Sequence, residues 1–213
     1  MLKLKICGMR RPEDIEIANK YKPDYVGFVF AQSPRKVSYE QAKELSGLLS
    51  EDIVPVGVFV NEHMKLIVEL FKDGIIEMAQ LHGDEDEKYI RNLKDKSIEE
   101  TGKEISVINA IEIKDDADYD DELLKWRDSA SDYFILDSGK GSGKTFDWSL
   151  IDKESEFFKN SIFLAGGLNS ENLALAIEEF NPFAVDLSSS VETDGFKDEE
   201  KIKEIIEIME NYR

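Results

Sequence analysis

The stretch Val54–His82, VPVGVFVNEHMKLIVELFKDGIIEMAQLH, carries the pattern that decides the fold. It opens on an apolar, β-favouring run, Val54–Val60, and closes on a second, Met78–His82. Between them Leu66, Ile67, Leu70 and Phe71 recur at helical spacing, with Asn61 as the expected cap and Gly74 as the expected stop. A strand, a helix and a strand in this order form a βαβ unit. Its strands run parallel and its crossover is right-handed.

The unit repeats along the chain. Similar runs bounded by Gly, Pro, Asn, Asp or Ser are Leu2–Cys7, Tyr25–Phe30, Ile105–Ile113, Tyr133–Asp137, Ile162–Ala165 and Ala184–Ser188. Pro12 fits the first turn of a helix that must end before Pro23. Ser38 with Gln41 forms a capping box. Asn169 or Ser170 opens a helix stopped by Pro182, and Ile202, Ile205, Ile206 and Met209 mark the last one. Weaker helical patterns lie near 85–95, 117–131 and 147–158. Eight βα units in 213 residues predict an α/β fold: one single-domain (β/α)8 TIM barrel with a parallel eight-stranded sheet over residues 1–213. A doubly wound sheet fits less well, because no G-x-G-x-x-G follows the first strand. The acidic stretch Lys114–Glu122 reads as a solvated loop and helix start, since strands continue on both sides.

Composition narrows the function. With 41% hydrophobic and 10% aromatic residues the chain builds a core, and disorder is excluded as its main state. A formal charge of −19, from 27 basic and 46 acidic residues, argues against nucleic acid or an anionic membrane as partner. Cys7 is the one cysteine, so no internal disulfide is possible and a reducing, cytoplasmic setting is expected. The opening residues turn polar too soon for a signal peptide, and the longest apolar runs are too short to span a bilayer. With only His63 and His82, no multi-histidine metal site is expected. A monomer is expected rather than a homodimer.

In such a barrel the chemistry sits where strands end at their C-terminal side. Those ends carry Cys7-Gly8, the Gln32–Arg35 loop, Asn61, Gln80–Gly83, Asp137-Ser138, Gly166-Gly167 and Asp186–Ser190. Gly166 and Gly167, followed by a helix start, with Ser188, Ser189 and Ser190 on the next strand end, read as a phosphate site. Either loop alone reads better as an ordinary turn; the two together at neighbouring strand ends favour phosphate. Cys7 and Asp137 are a candidate proton-transfer pair: a thiolate favoured by nearby positive charge, and a carboxylic acid favoured by burial. Taken singly, Cys7 also reads as a small buried apolar residue and Asp137 as a cap. Arg35 is suited to a two-pronged grip on a carboxylate, although taken singly it reads more readily as a surface arginine. His82 is suited to orienting a substrate or to a buried hydrogen bond, and His63 is expected on a helix face in solvent. Alternation turns Lys5 to the same side as Cys7, and a buried ammonium needs a partner, for which Asp186 is the candidate. Gly141–Thr145, GSGKT, is similar to a phosphate-binding P-loop, but Ser138 stands where that motif needs Gly.

The blocks KICG (Lys5–Gly8), GFVF…SPR.VS (Gly27–Ser38), VGVFVN (Val56–Asn61), AQLHG (Ala79–Gly83), ILD (Ile135–Asp137), GSGKTFDW (Gly141–Trp148), GGLN.EN (Gly166–Asn172) and FAVDLSS.VE..G.KD (Phe183–Asp198) stand in order along nearly the whole chain. Together they strongly resemble the N-(5'-phosphoribosyl)anthranilate isomerases of tryptophan biosynthesis. The resemblance implies an Amadori rearrangement of a phosphorylated sugar–anthranilate substrate, without metal or organic cofactor. It implies Asp137 as general acid, Cys7 as general base, Arg35 on the anthranilate carboxylate, and the loops after strands 7 and 8 on the phosphate. His82 and Asp186 are expected to face the substrate. Two departures stand out: Ser190 replaces the family's usual Gly, which matters if that position needs a positive φ, and the loop from Asp137 to Gly143 looks short. Another cofactor-free phosphosugar barrel enzyme, or an inactive phosphate-binding paralogue, is the alternative.

Overall fold

A computed structural model describes residues 1–112, 126, 129–137 and 161–212. Its main strands are β1 (Lys3–Cys7), β2 (Tyr25–Val29), β3 (Val54–Phe59), β4 (Met78–Leu81), β5 (Ser106–Glu112), β6 (Tyr133–Asp137), β7 (Ile162–Leu164) and β8 (Ala184–Leu187). They follow one another in chain order around a closed barrel. Parallel pairing is seen from β1 through β5 and from β6 through β8. The expected strands are present, mostly a residue shorter at one end. The expected helices near 117–131 and 147–158, the stretch 114–122 and the loop 141–145 lie wholly or mostly outside the described residues.

Contacts gather the chain into two compact units. The first comprises Lys5–Asn109 with Ala130–Asp132. Its helices are α1 (Pro12–Tyr21), α2 (Tyr39–Leu48), α3 (Met64–Lys72) and α4 (Glu87–Thr101). Pro12 opens α1 as expected. Asp14, fully buried, accepts from the N–H groups of Arg10 and Arg11 and from the Arg11 guanidinium, so the first turn is tied to its own cap. The Ser38 hydroxyl accepts from Gln41 N–H, which is half of the expected capping box. The other half is absent, because the Gln41 side chain donates to the Arg10 carbonyl at 2.7 Å. Asn61 does not cap α3. That helix begins after His63, which is exposed, while Asn61 adopts φ 51° at the end of β3.

Helix α4 runs well beyond the expected 85–95. Its inner face includes Lys94 and Ser97 beside Ile90 and Leu93. Ser97 donates to the Lys94 carbonyl and accepts from Ile105 N–H, and Lys94 is held by Glu104 and Asp132. Satisfied polar groups thus occupy positions that a hydrophobic periodicity would have filled with apolar ones.

The second unit comprises Met1–Leu4, Ala110–Ser129 and Tyr133–Arg213. The rings of Tyr133, Phe163 and Phe183 pack together in it, with centroids 5.2–5.6 Å apart. Helix α5 (Leu173–Phe180) ends at Asn181, in the left-handed region just before Pro182. A two-residue antiparallel pair, β9 (Glu192–Thr193) with β10 (Phe196–Lys197), leads into α6 (Glu199–Met209). Asp198 caps α6, and Ile202, Ile205, Ile206 and Met209 are buried along one face as their spacing predicts.

Candidate active site

In the first unit, Cys7 ends β1 and is 8% exposed. Strand register sets it beside Gly27, and it clusters with Val29 and Val58. A Cβ on Gly27 would lie 2.7 Å from the Cys7 sulfur, so only glycine leaves the thiol its place. Gly8 follows at φ 91°, and the N–H groups of Gly8 and Met9 both donate to the Gly27 carbonyl. The aliphatic stem of Arg35 crosses the open face of Gly8, where any side chain would collide with it. Arg35 is thereby laid over the residue next to Cys7. Its loop is fastened by Ser33, whose hydroxyl accepts from Arg35 N–H, and by Arg10, whose guanidinium donates to the Pro34 carbonyl at 3.0 Å.

Strand β4 leads to His82, partly buried, whose N–H donates to the Phe59 carbonyl. Its ring Nδ1 lies 3.2 Å from the amide nitrogen of Gln80, two residues earlier on the same face. The loops after β3 and β4 are laced together by a buried carboxylate. Glu85 accepts from Asn61 N–H at 2.6 Å and from Gly83 N–H at 2.7 Å. The Asn61 side chain bonds Asp84 in both directions. Glu85 and Asn61 therefore brace the rim on which His82 stands.

In the second unit Asp137 ends β6 and is partly buried, and Asp186 is partly buried on β8. Gly166 and Gly167 follow β7 at φ 82° and 66°, a left-handed pair open to glycine. The expected opening at Asn169 is met by a capped turn ahead of α5: Leu173 N–H donates to the Asn169 carbonyl at 3.0 Å, the Asn169 side chain accepts from the N–H groups of Glu171 and Asn172, and the Asn172 side chain accepts from Asn169 N–H, with regular helix from Leu173. Both asparagine amides donate to the Gly167 carbonyl, at 3.2 and 3.0 Å.

Strand β8 pairs with β7, so its end loop lies beside the glycine loop. Ser189, Ser190 and Val191 form one 3-10 turn. Ser190 is not among the residues with positive φ, so a serine there meets no left-handed requirement. The Ser188 carbonyl accepts from the Lys197 ammonium at 3.0 Å, and Lys197 pairs with Glu192 at 2.8 Å.

The sequence reading did not single out Gly27, Gln80, Glu85 or Lys197. Gly27 carried a signal, a lone glycine inside an apolar strand, which marks close approach. Lys197 stands in the block FAVDLSS.VE..G.KD without a role assigned to it, and Glu85 carried no signal, since a carboxylate in a polar loop looks solvated until its partners are known. Among the described residues no group of three or more His, Cys, Asp or Glu side chains is set to hold a metal ion, and no helix is long and apolar enough to cross a membrane.

The family model described as N-(5'-phosphoribosyl)anthranilate (PRA) isomerase matches residues 4–208. The N-(5'-phosphoribosyl)anthranilate isomerase of Clostridium acetobutylicum is 44% identical over 211 residues, 97% of either chain. Among solved structures, the monomers of dimeric phosphoribosylanthranilate isomerase from Thermotoga maritima superpose with a TM-score of 0.83 at 36% identity, covering 99% of this chain and 100% of that one. A phosphoribosyl anthranilate isomerase in complex with reduced 1-(o-carboxyphenylamino)-1-deoxyribulose 5-phosphate superposes at 0.81 and 36% identity, with the same coverage. The chain belongs to the N-(5'-phosphoribosyl)anthranilate isomerase family.

Proposed function

We infer that this chain isomerises N-(5'-phosphoribosyl)anthranilate to 1-(2-carboxyphenylamino)-1-deoxyribulose 5-phosphate in tryptophan biosynthesis. Family membership over nearly the whole chain carries this reading. It is supported by a cysteine and an aspartate at two strand ends on the side where barrel enzymes work.

The Asp137 carboxyl acts as general acid. It gives its proton to the furanose ring oxygen as the C1'–O bond breaks, and the anilino nitrogen supplies the electron pair that makes the protonated Schiff base. The Cys7 thiolate then takes the proton from C2', and those electrons form the C1'–C2' double bond of the enolamine while the nitrogen regains its pair. The enol proton is lost and a proton is gained at C1', which leaves the ketone, so substrate and product are isomers. Arg35, whose stem lies across Gly8, grips the anthranilate carboxylate. His82 and Asp186 are assigned to contacts with the substrate. Gly166, Gly167, Ser188, Ser189 and Ser190 take the phosphate through backbone N–H groups and hydroxyls. The resident thiol must stay reduced, which suits the cytoplasm, and the chain acts as a monomer, a state that sedimentation of the purified protein measures.

The test generates the substrate in situ and follows the loss of its anthranilate fluorescence in EDTA. Activity is expected. Cys7→Ala and Asp137→Asn are each expected to lower kcat by about 10²–10⁴ with little change in binding, because both act only as protons move. Retention of kcat in both variants would remove them from these roles.

A further inference from the structure

We propose that Lys197 is a positioning residue of the phosphate subsite, aiming the Ser189 N–H at the bound anion by holding the Ser188 carbonyl from behind. The inference rests on the phosphate reading of this loop given above.

The Lys197 side chain is 1% exposed and that of Glu192 is 6% exposed. A buried ammonium is costly without partners, and Glu192, directly opposite across the β9–β10 pair, supplies the counter-charge at 2.8 Å. A lysine needed only to complete that pair would have no reason to reach further. Lys197 does reach further: its ammonium also donates to the Ser188 carbonyl at 3.0 Å. A trans peptide unit is planar, with its C=O and the following N–H pointing in opposite directions. Fixing the Ser188 oxygen toward Lys197 therefore turns the Ser189 N–H to the other side of the chain, away from the buried pair.

Glu192 is held in turn. Its carbonyl accepts from Lys201 on α6 at 2.6 Å, so the pair is anchored to a helix. Because Glu192 cancels the lysine charge at close range, Lys197 does not act as a long-range attractor for phosphate; its contribution is orientation. The neighbouring loop uses the same device with neutral groups, where the Asn169 and Asn172 amides hold the Gly167 carbonyl and turn the Leu168 N–H away from them.

The experiment compares wild type with the double variant Lys197→Met, Glu192→Gln, which removes both buried charges together, and with Lys197→Arg, which keeps a cationic donor. Inorganic phosphate is the probe, as a competitive inhibitor of the isomerase reaction. The double variant is expected to raise the inhibition constant for phosphate and the KM about tenfold each while kcat changes far less, and Lys197→Arg to recover part of the loss. In wild type the Ser189 amide is expected to be among the backbone N–H resonances that phosphate shifts downfield, a readout that needs no variant to fold. Phosphate that fails to compete in wild type overturns the phosphate reading and the inference with it. Phosphate that competes in wild type with an unchanged constant in the folded double variant, or that leaves the Ser189 amide unmoved, overturns the role of Lys197 alone.

Discussion

Two of the buried lysines, Lys94 and Lys197, are each neutralised by carboxylates, yet they serve different ends of the strands. Lys94 projects from α4 to Glu104, ahead of β5, and to Asp132, the residue before β6, at 3.1 and 2.9 Å. It stands where strands begin. Lys197 stands past the end of β8, and its further bond goes to a backbone carbonyl of the loop read as a phosphate site. The same ion-pair chemistry therefore secures the fold at one place and, in the phosphate proposal, shapes a ligand loop at the other. A barrel separates these tasks, because strand starts bear only on stability while strand ends carry the chemistry.

The comparison breaks if variants at strand ends alter only melting, or if variants at strand starts alter kinetics. The largest effect after Cys7 and Asp137, the two residues proposed to transfer protons, is expected at Gly27→Ala. Its methyl group would need space 2.7 Å from the Cys7 sulfur, and a displaced base should lower kcat about 100-fold in fluorescence assays. An unchanged kcat would mean that the sulfur does not depend on that gap. Arg35→Ala is expected to raise KM by about 10- to 100-fold, the worth of a charge-assisted grip on a carboxylate, with a smaller change in kcat.

Lys94→Met should leave kcat and KM as they are and cost about 1–3 kcal/mol of stability in urea titration. The lower part of that range is expected, since Asp132 and Glu104 keep 34% and 53% exposure and water can solvate them. A kinetic defect in this variant would erase the division between strand starts and strand ends.

The smallest effect concerns alkaline pH. Burial by itself would lower the Lys94 pKa, but the hydrogen bond and charge of Asp132, with Glu104 behind them, raise it above the ordinary lysine value. Tyr89 is pushed up to about 12, first by burial and then by the charges of Glu85 and Glu62. In both cases the unfolded chain gives up its proton before the folded one. The stability these groups contribute is complete below their unfolded values, about 10 to 10.5, and is lost as pH rises through the folded values. The urea midpoint should therefore decline above about pH 10, less steeply in Lys94→Met than in wild type. Equal slopes would exclude Lys94 from the alkaline transition.

The parts of this protein that were legible in advance share one property: each depends on neighbours in sequence. The run Val54–His82 predicts strand, helix, strand because apolar side chains at period 3.6 and β-branched runs act locally, and β3, α3 and β4 follow it closely. Caps were read less well for the complementary reason. Asn61 and Gln41 have the right chemistry for helix starts, yet Asp84 and the Arg10 carbonyl, far away in sequence, take their side chains. The polar half of α4 was unreadable because Lys94 and Ser97 become acceptable inside only when Glu104, Asp132 and Ile105 arrive.

The amino-acid order by itself determined an α/β barrel of repeated units and marked the strand ends where Cys7, Arg35, His82, Asp137, Asp186 and the glycine and serine loops fall. Periodicity and turn chemistry are local properties, so they survive without knowledge of the fold. Only the tertiary structure decided that Gly27 clears room for the thiol, that the Arg35 stem lies across Gly8, that Glu85 braces the His82 rim and that Lys197 turns back on the Ser188 carbonyl. Each of these joins elements distant in sequence, and a buried charge or a missing side chain acquires meaning only from the group that folding brings against it.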